Sequence, residues 1–335
     1  SDTRHPDEIS WAKTIEEDLA RRDFTINAIA MAIDSKMIDP FDGQKDLRDK
    51  IIRAVGDPNQ RFKEDALRLM RVVRLAVQLN FSIEQKTSEA VEKSAGLIEI
   101  IAKERIRDEF IKIIMSKEAS RGIALLEKFS LLKYILPELR TGIGVSQNLH
   151  HIYEVFEHHL RCIDYSAKQD YSLEIRLASL LHDLGKPKAK RGEGHNATFY
   201  NHEMLSARMA TEALEKLRFS REVIEKVSHL VRYHMFYYNV GEVSEAGVRR
   251  FVARVGPENV DDLLKLREAD RIGSGTPKAV PYKNRHLLFM IEKVKHDPLS
   301  PKMLKVDGND VMKILEIQSG PKVGQILTIL LDEVL

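Results

Sequence analysis

The chain has 335 residues, 43% hydrophobic and 31% charged, a balance that suits a folded soluble protein with a sizeable core and excludes wholesale disorder. Lys and Arg total 53 against 51 Asp and Glu, a formal net charge of only +2, so a nucleic-acid partner has to be met by local basic patches. One cysteine, Cys162, excludes an internal disulfide framework and a thiolate zinc finger and fits a cytoplasmic protein; no apolar run reaches the roughly 18 residues of a membrane span, and no signal peptide is recognisable.

Low aromatic content and an abundance of Leu, Ile, Ala, Glu, Lys and Arg predict a mainly α protein. The exception is the start. "RRDFTINAIA", residues 21 to 30, sets two arginines and an aspartate ahead of a short buried element, a residue set suited to holding phosphates and a sugar. "KMIDPFDG" reads as a second short strand running into a turn.

From "KDLRDKIIRAVGDP" onward the periodicity is helical. "RFKEDALRLMRVVRLAVQLN" predicts one strong helix, followed by helices over "FSIEQKTSEAVEKSAGLI" and "AKERIRDEFIKIIMS" and a pair in "ASRGIALLEKFSLLKYILPEL" that Pro137 stops. On the first of these, Asp65 and Arg68 stand at i and i+3, so their heads are expected side by side. A carboxylate that accepts from an exocyclic amino group, next to a guanidinium that donates to a ring nitrogen, matches cytosine and adenine. Uracil and guanine reverse that polarity and leave both groups unpaired, at about 1–3 kcal/mol each. The plain alternative is an intrahelical salt bridge. Arg71 and Arg74 continue along the helix and need partners, which phosphates or Glu64 could supply.

Residues 138 to 150, "ELRTGIGVSQNLH", read as a domain boundary. Beyond it "LASLLHDLGKPKA" places His182 and Asp183 side by side at the end of an apolar helical run, with His158, His202, His234 and Asp270 at wide intervals. Imidazoles with carboxylates suit a divalent transition metal or a carboxylate-bridged pair, able to activate water against a phosphoester. His150, His151, His159, His195 and His229 are assigned to surface or satisfied core positions. "GSGTPKAVPYKN" is a loop, and the last stretch reads as two helices around a Ser-Gly-Pro turn.

Taken in order, "VFEHHLRC", "LLHDLGKPKA", "NHEMLSARMA", "VRYHM" and "LREAD" resemble the ligand segments of the HD superfamily of metal-dependent phosphohydrolases. The resemblance implies His158, His182, Asp183 and Asp270 as metal ligands for Ni²⁺, Co²⁺ or Mn²⁺. It also implies His202 and His234 as second-metal or phosphate contacts, and Lys186 near a bound phosphate. "EEDLARRDFTINAIA", "IDPFDGQKDLRDKIIRAVGDP", "RFKEDALRLMRVVRLAVQLNF" and "KERIRDEF" resemble four successive motifs of the class II tRNA nucleotidyltransferase and poly(A) polymerase family, whose bacterial members often carry an HD domain afterwards. That implies CCA addition from ATP and CTP and a tRNA partner; separately, no membrane partner is expected, and the chain is expected as a monomer or homodimer. Arg22, Asp23 and Asn27 would contact sugar and triphosphate, Asp65 and Arg68 would select the base with Glu64 behind them, and Arg71 and Arg74 would face phosphates.

The implied organisation is a nucleotidyltransferase head remnant over 1–55, neck and body helices over 56–140, an HD domain over 146–272 and a helical tail over 276–335. The family's first motif, a Gly-Gly…Arg-Asp loop and an Asp-x-Asp pair holding Mg²⁺, is absent from residues 1 to 20, and Asp39 and Asp42 belong to a later motif. The chain is therefore expected to be preceded in its parent by about a hundred residues and not to transfer nucleotides alone. The competing expectations are a stand-alone HD phosphohydrolase with an RNA- or nucleotide-binding front module, and a tRNA-binding protein with both sites silent.

Overall fold

The computed structural model describes residues 12–148, 152–276, 282–294, 297–298 and 301–334; His150, His151 and the side chain of His195 fall outside this set. The front block comprises α1 (Ile15–Ala20), β1 (Ala30–Met31), β2 (Met37–Ile38), α2 (Gly43–Asp49), β3 (Ile51–Ile52), α3 (Pro58–Glu64), α4 (Leu67–Gln78) and β4 (Ser82–Ile83). The strands form two small ribbons, β1–β2 antiparallel and β3–β4 parallel. Helices α5 (Gln85–Ser94), α6 (Lys103–Ile114), α7 (Ala119–Lys128), α8 (Leu132–Ile135) and α9 (Pro137–Arg140) follow. Pro137 opens α9 as well as ending the helix before it, because proline's missing N–H costs nothing in a first turn.

The single helix expected over residues 61–80 is two. Asp65 ends α3 with an extended backbone, φ −147° and ψ 104°, and its carboxylate accepts the Leu67 amide at 3.0 Å. An aspartate that bonds its own downstream backbone competes with helix continuation and caps the next helix instead. Thereafter α4 buries Leu69, Met70, Val72, Val73, Ala76 and Val77 against α6 and α7.

The rear block is α10 (Val155–Lys168), α11 (Leu173–Leu181), α12 (Lys186–Ala189), α13 (His202–Lys216), α14 (Arg221–Tyr233), α15 (Glu245–Val255), α16 (Pro257–Gly273) and α17 (Tyr282–Val294). α10 packs on α11 and α16, α11 on α14, and α13 on α14. One continuous apolar core runs from Phe24 through α3–α9 into this block as far as Val294. Arg176 of α11 is buried at the joint and donates to Ile114 O and Ser116 O at the end of α6, at 3.1 and 3.0 Å. The tail helices α18 (Gly308–Leu315) and α19 (Pro321–Val334) pack on each other, and none of their described residues belongs to the main core. No helix among the described residues is long and apolar enough to cross a membrane.

Candidate functional sites in the head and the histidine block

Two sites form, lined by separate sets of residues. In the front cavity, of about 640 Å³, Arg22, Asp23, Asn27, Asp65, Arg68, Arg71 and Arg74 all line the wall, joined by Arg21 and Arg105. Asp23 is buried, and its Oδ1 accepts from the Phe24 amide and Asn27 Nδ2 at 2.9 and 3.1 Å while Arg71 Nε donates to Oδ2 at 2.6 Å. This ion pair presents the Arg71 guanidinium to the cavity instead of leaving it on a solvent-facing edge. Arg74 is pinned differently, at 3.1 Å from the buried Glu109.

Asp65 and Arg68 do not meet as an i,i+3 pair, since the helix break turns Asp65 away. Asp65 Oδ2 accepts from Arg105 at 3.0 Å. Arg68 donates to Glu64 at 2.9 Å and to the carbonyls of Arg61 and Arg21, both at 3.1 Å. Both heads nonetheless line the same cavity, each fixed by a neighbour. The sequence reading missed Arg105; its one legible signal was a place in the segment "KERIRDEF", at the start of α6.

The rear site is buried and far more compact. His158 Nε2 and His182 Nε2 stand 3.0 Å apart, with Asp183 Oδ2 at 3.3 Å from each. Asp270 Oδ1 lies 3.4 Å from His158 and 3.7 Å from His182. His202 and His234 approach the other Asp183 oxygen, at 3.2 and 3.6 Å. All six residues singled out from the sequence as ligands or phosphate contacts thus converge on one point.

Helix geometry explains the convergence. His182 and His234 occupy the C-terminal ends of α11 and α14, and His202 opens α13. In each, ring Nδ1 bonds the carbonyl three residues earlier: Ser179, Phe199 and Val231, at 3.1, 2.6 and 2.7 Å. A carbonyl takes only a donor, so Nδ1 carries the proton and Nε2 faces the cluster, the orientation expected of metal-binding imidazoles. Gly185 allows α13 to come this close, because a Cβ there would meet His202 O at 2.7 Å and Ser206 N at 2.8 Å.

The electrostatics are those of a closely packed charge cluster. Burial would raise Asp183, but His182 and Lys186 hold its carboxyl well below the usual carboxylate range. Burial would likewise raise Asp270, which His182 and Arg267 hold well down. Burial lowers His158 and His234. It opposes the charge on His182 too, yet the carboxylates of Asp183 and Asp270 raise that ring to about 9.

The Lys186 ammonium sits 2.7 Å from Asp183 Oδ2 and donates to Gln147 Oε1 at 2.6 Å. Neither Asp183 oxygen nor His202 Nε2 makes a well-directed hydrogen bond, although His202 Nε2 and Asp183 Oδ1 lie 3.2 Å apart. Buried acceptors left in this state around a His/Asp donor set fit a divalent cation. The cluster opens into a cavity of about 580 Å³ bearing Lys186, Arg267, Arg271 and Lys283, a wall suited to an anion. Of the histidines set aside in the sequence, His229 Nε2 donates to Val255 O at 2.6 Å, while buried His159 packs beside His158 and His182.

Comparison with known proteins places these features in a family. Residues 1–53 match the Poly A polymerase head domain, 80–142 the probable RNA- and SrmB-binding site of polymerase A, and 155–272 the HD domain. The chain is 35% identical over 331 residues to the A-adding tRNA nucleotidyltransferase of Deinococcus radiodurans, covering 95% of this chain and 75% of that protein. It is 34% identical to the CC-adding tRNA nucleotidyltransferase of Thermus thermophilus, covering 95% and 73%. A solved Bacillus stearothermophilus CCA-adding enzyme in complex with CTP superimposes with a TM-score of 0.69 at 25% identity, over 96% of this chain and 70% of that one.

Proposed function

Because the chain belongs to the tRNA nucleotidyltransferase and poly(A) polymerase family, we propose that its front cavity selects C and A for template-independent addition to tRNA 3′ ends and that its HD site hydrolyses phosphoesters. The observation that carries the first half is the gathering of all seven expected nucleotide residues on one cavity wall. Asp65 accepts from the exocyclic amino group of cytosine or adenine and Arg68 donates to the adjacent ring nitrogen. Arg105 fixes the Asp65 head and Glu64 the Arg68 head, so the discrimination is set before the nucleotide arrives. Arg22 and Arg71 face the triphosphate, with Asp23 fixing Arg71 and Asn27 beside the sugar. The neck and body helices, with distributed basic side chains, grip tRNA by its backbone and shape.

Mg²⁺ is assigned to none of these residues. No two aspartates anywhere in the 335-residue sequence stand two positions apart, so the family's Asp-x-Asp pair has no counterpart and residues 1–335 alone are expected not to transfer nucleotides. Binding tests selection without transfer. Calorimetry of the chain with CTP and ATP against UTP and GTP should show a preference of about tenfold or more, from the roughly 1–3 kcal/mol of each unpaired buried group. Asp65→Ala and Arg68→Ala should each abolish it; equal affinities for all four in the unaltered chain would sink the reading.

In the HD domain, His158, His182, Asp183 and Asp270 would hold Ni²⁺, Co²⁺ or Mn²⁺, with His202 and His234 available to a second ion or to phosphate. When bound, such an ion would lower the pKa of a water so that it could attack phosphorus as hydroxide, and would offer positive charge to the phosphoryl oxygens. Lys186, steadied by Gln147, binds the anion beside the cluster, and Arg267 and Arg271 neutralise it from the α16 side. The substrates proposed are 2′,3′-cyclic phosphates and 2′-nucleotides. Hydrolysis in the presence of Ni²⁺ is expected to fall at least 100-fold in His182→Ala and Asp183→Ala. If the unaltered chain is as inert as both variants, the cluster is structural.

A further inference from the structure

The cavity above the HD cluster has two unlike walls. One is cationic. The other carries Phe199, Tyr200 and Met235, and of these Tyr200 and Met235 stand out into solvent, 80% and 53% exposed. An aromatic ring this open at the mouth of a charged cavity is accessible to a flat ligand group without displacing any protein contact.

Its position is fixed by the machinery beneath. Thr198 is bridged to Arg191, Phe199 O is tied to His202 Nδ1, and Asn201 adopts a left-handed φ of 59° that starts α13. Tyr200 is the one residue between these anchors that is left outside. Phe199 beside it turns inward, 5.7 Å beneath the Lys186 ammonium. Met235 follows directly on His234, whose ring lies 5.4 Å from that of His202, so both exposed side chains are carried by the turns that carry the ligands.

Resting on the hydrolytic reading of this site, we infer that Tyr200, with Met235, is a platform for the nucleobase of the substrate: the site takes nucleosidic phosphoesters and is selective for the base as a flat, apolar group. The cationic wall receives the phosphate at the cluster while the base lies outward on the tyrosine face. Stacking is tolerant of base identity, because every base offers a π-face. Acceptance of all four bases with rejection of base-free sugar phosphates is therefore the expected signature. A cavity of about 580 Å³ is within the range of small-ligand sites.

The test uses the full chain with Ni²⁺ as the added ion and two substrates, adenosine 2′,3′-cyclic phosphate and methyl riboside 2,3-cyclic phosphate, which lacks the base. The KM of the unaltered chain should favour the nucleoside by about tenfold or more, the scale of one base–aromatic stack. Tyr200→Ala should bring the two KM values within about twofold of each other through a rise for the nucleoside, with the kcat ratio unmoved, and Tyr200→Phe should keep the preference. Calorimetry of 2′-AMP against methyl riboside 2-phosphate reads the same ratio without turnover. If neither cyclic phosphate is hydrolysed but the binding ratio holds and collapses in Tyr200→Ala, the hydrolytic reading fails while the platform stands. No preference in the unaltered chain, or one that survives Tyr200→Ala, overturns the platform.

Discussion

His182 is caught between opposing demands: burial resists its charge, yet two carboxylates within 4 Å favour it, and the carboxylates prevail at about 9. Because that value lies above the ordinary 6.5, the proton's contribution to the metal-free fold is complete below pH 6.5 and lost as pH rises through about 9. A histidine ligand must be neutral, and burial already disfavours charge on His158 and His234. Ni²⁺ affinity should therefore tighten about tenfold per pH unit from 6.5 toward 9, with release of one proton. Calorimetry in buffers of different ionisation enthalpy measures both, and a flat affinity over that range would contradict the assignment. At this scale the sequence was generous for the HD cluster and less so for the head. His182 and Asp183 are adjacent, and their chemistry can be read without a fold. Gln147 and Arg105 are ordinary polar residues far along the chain from the groups they hold, and only the packing of α6 and of the 141–148 turn brings them there.

Among the elements, the two short links that depart from regularity matter most. The break at Asp65 was illegible because "KEDALRLMRVVRL" has unbroken helical periodicity, and periodicity does not register a side chain that bonds its own backbone two residues on. Gly185 is the second. Its φ is −78°, so backbone freedom is not the reason for glycine; the reason is the contact with α13. Gly185→Ala should force α12 and α13 apart at a cost of about 1–3 kcal/mol, the usual range for overpacking. It should also weaken Ni²⁺ binding at least tenfold by withdrawing His202 from Asp183. An alanine variant with unaltered melting temperature and Ni²⁺ affinity would show that the close approach is dispensable. Pro137 teaches the same lesson in a milder form: a proline recognised as a stop also serves as a start.

Across the whole molecule, the sequence suggested a series of segments, whereas the structure shows the front and rear blocks sharing one apolar core. Pattern analysis divides a chain at polar turns and cannot see that α10 packs on α7, or that α11 packs on α6. Arg176 is the polar part of that joint, 1% exposed and donating to Tyr171 O, Ile114 O and Ser116 O as well as to Asp170. Arg176→Ala strands buried carbonyls on both sides and should cost about 3 kcal/mol. Calorimetric unfolding of the unaltered chain should show front and rear blocks melting together, and the variant should lower that shared transition. Two separate transitions in the unaltered chain would refute the single core.

The shared core also has a thermodynamic consequence for the two sites, which share no lining residue. If the blocks unfold together, any ligand that binds only the folded chain adds RT ln(1 + [L]/Kd) to the stability of both. A nucleotide bound in the front cavity would then protect an ion bound at the rear cluster from loss through global unfolding, and the ion would protect the nucleotide. Neither need change the other's affinity. The chain would be held intact most firmly when its substrates are abundant, through mass action alone and without an allosteric signal.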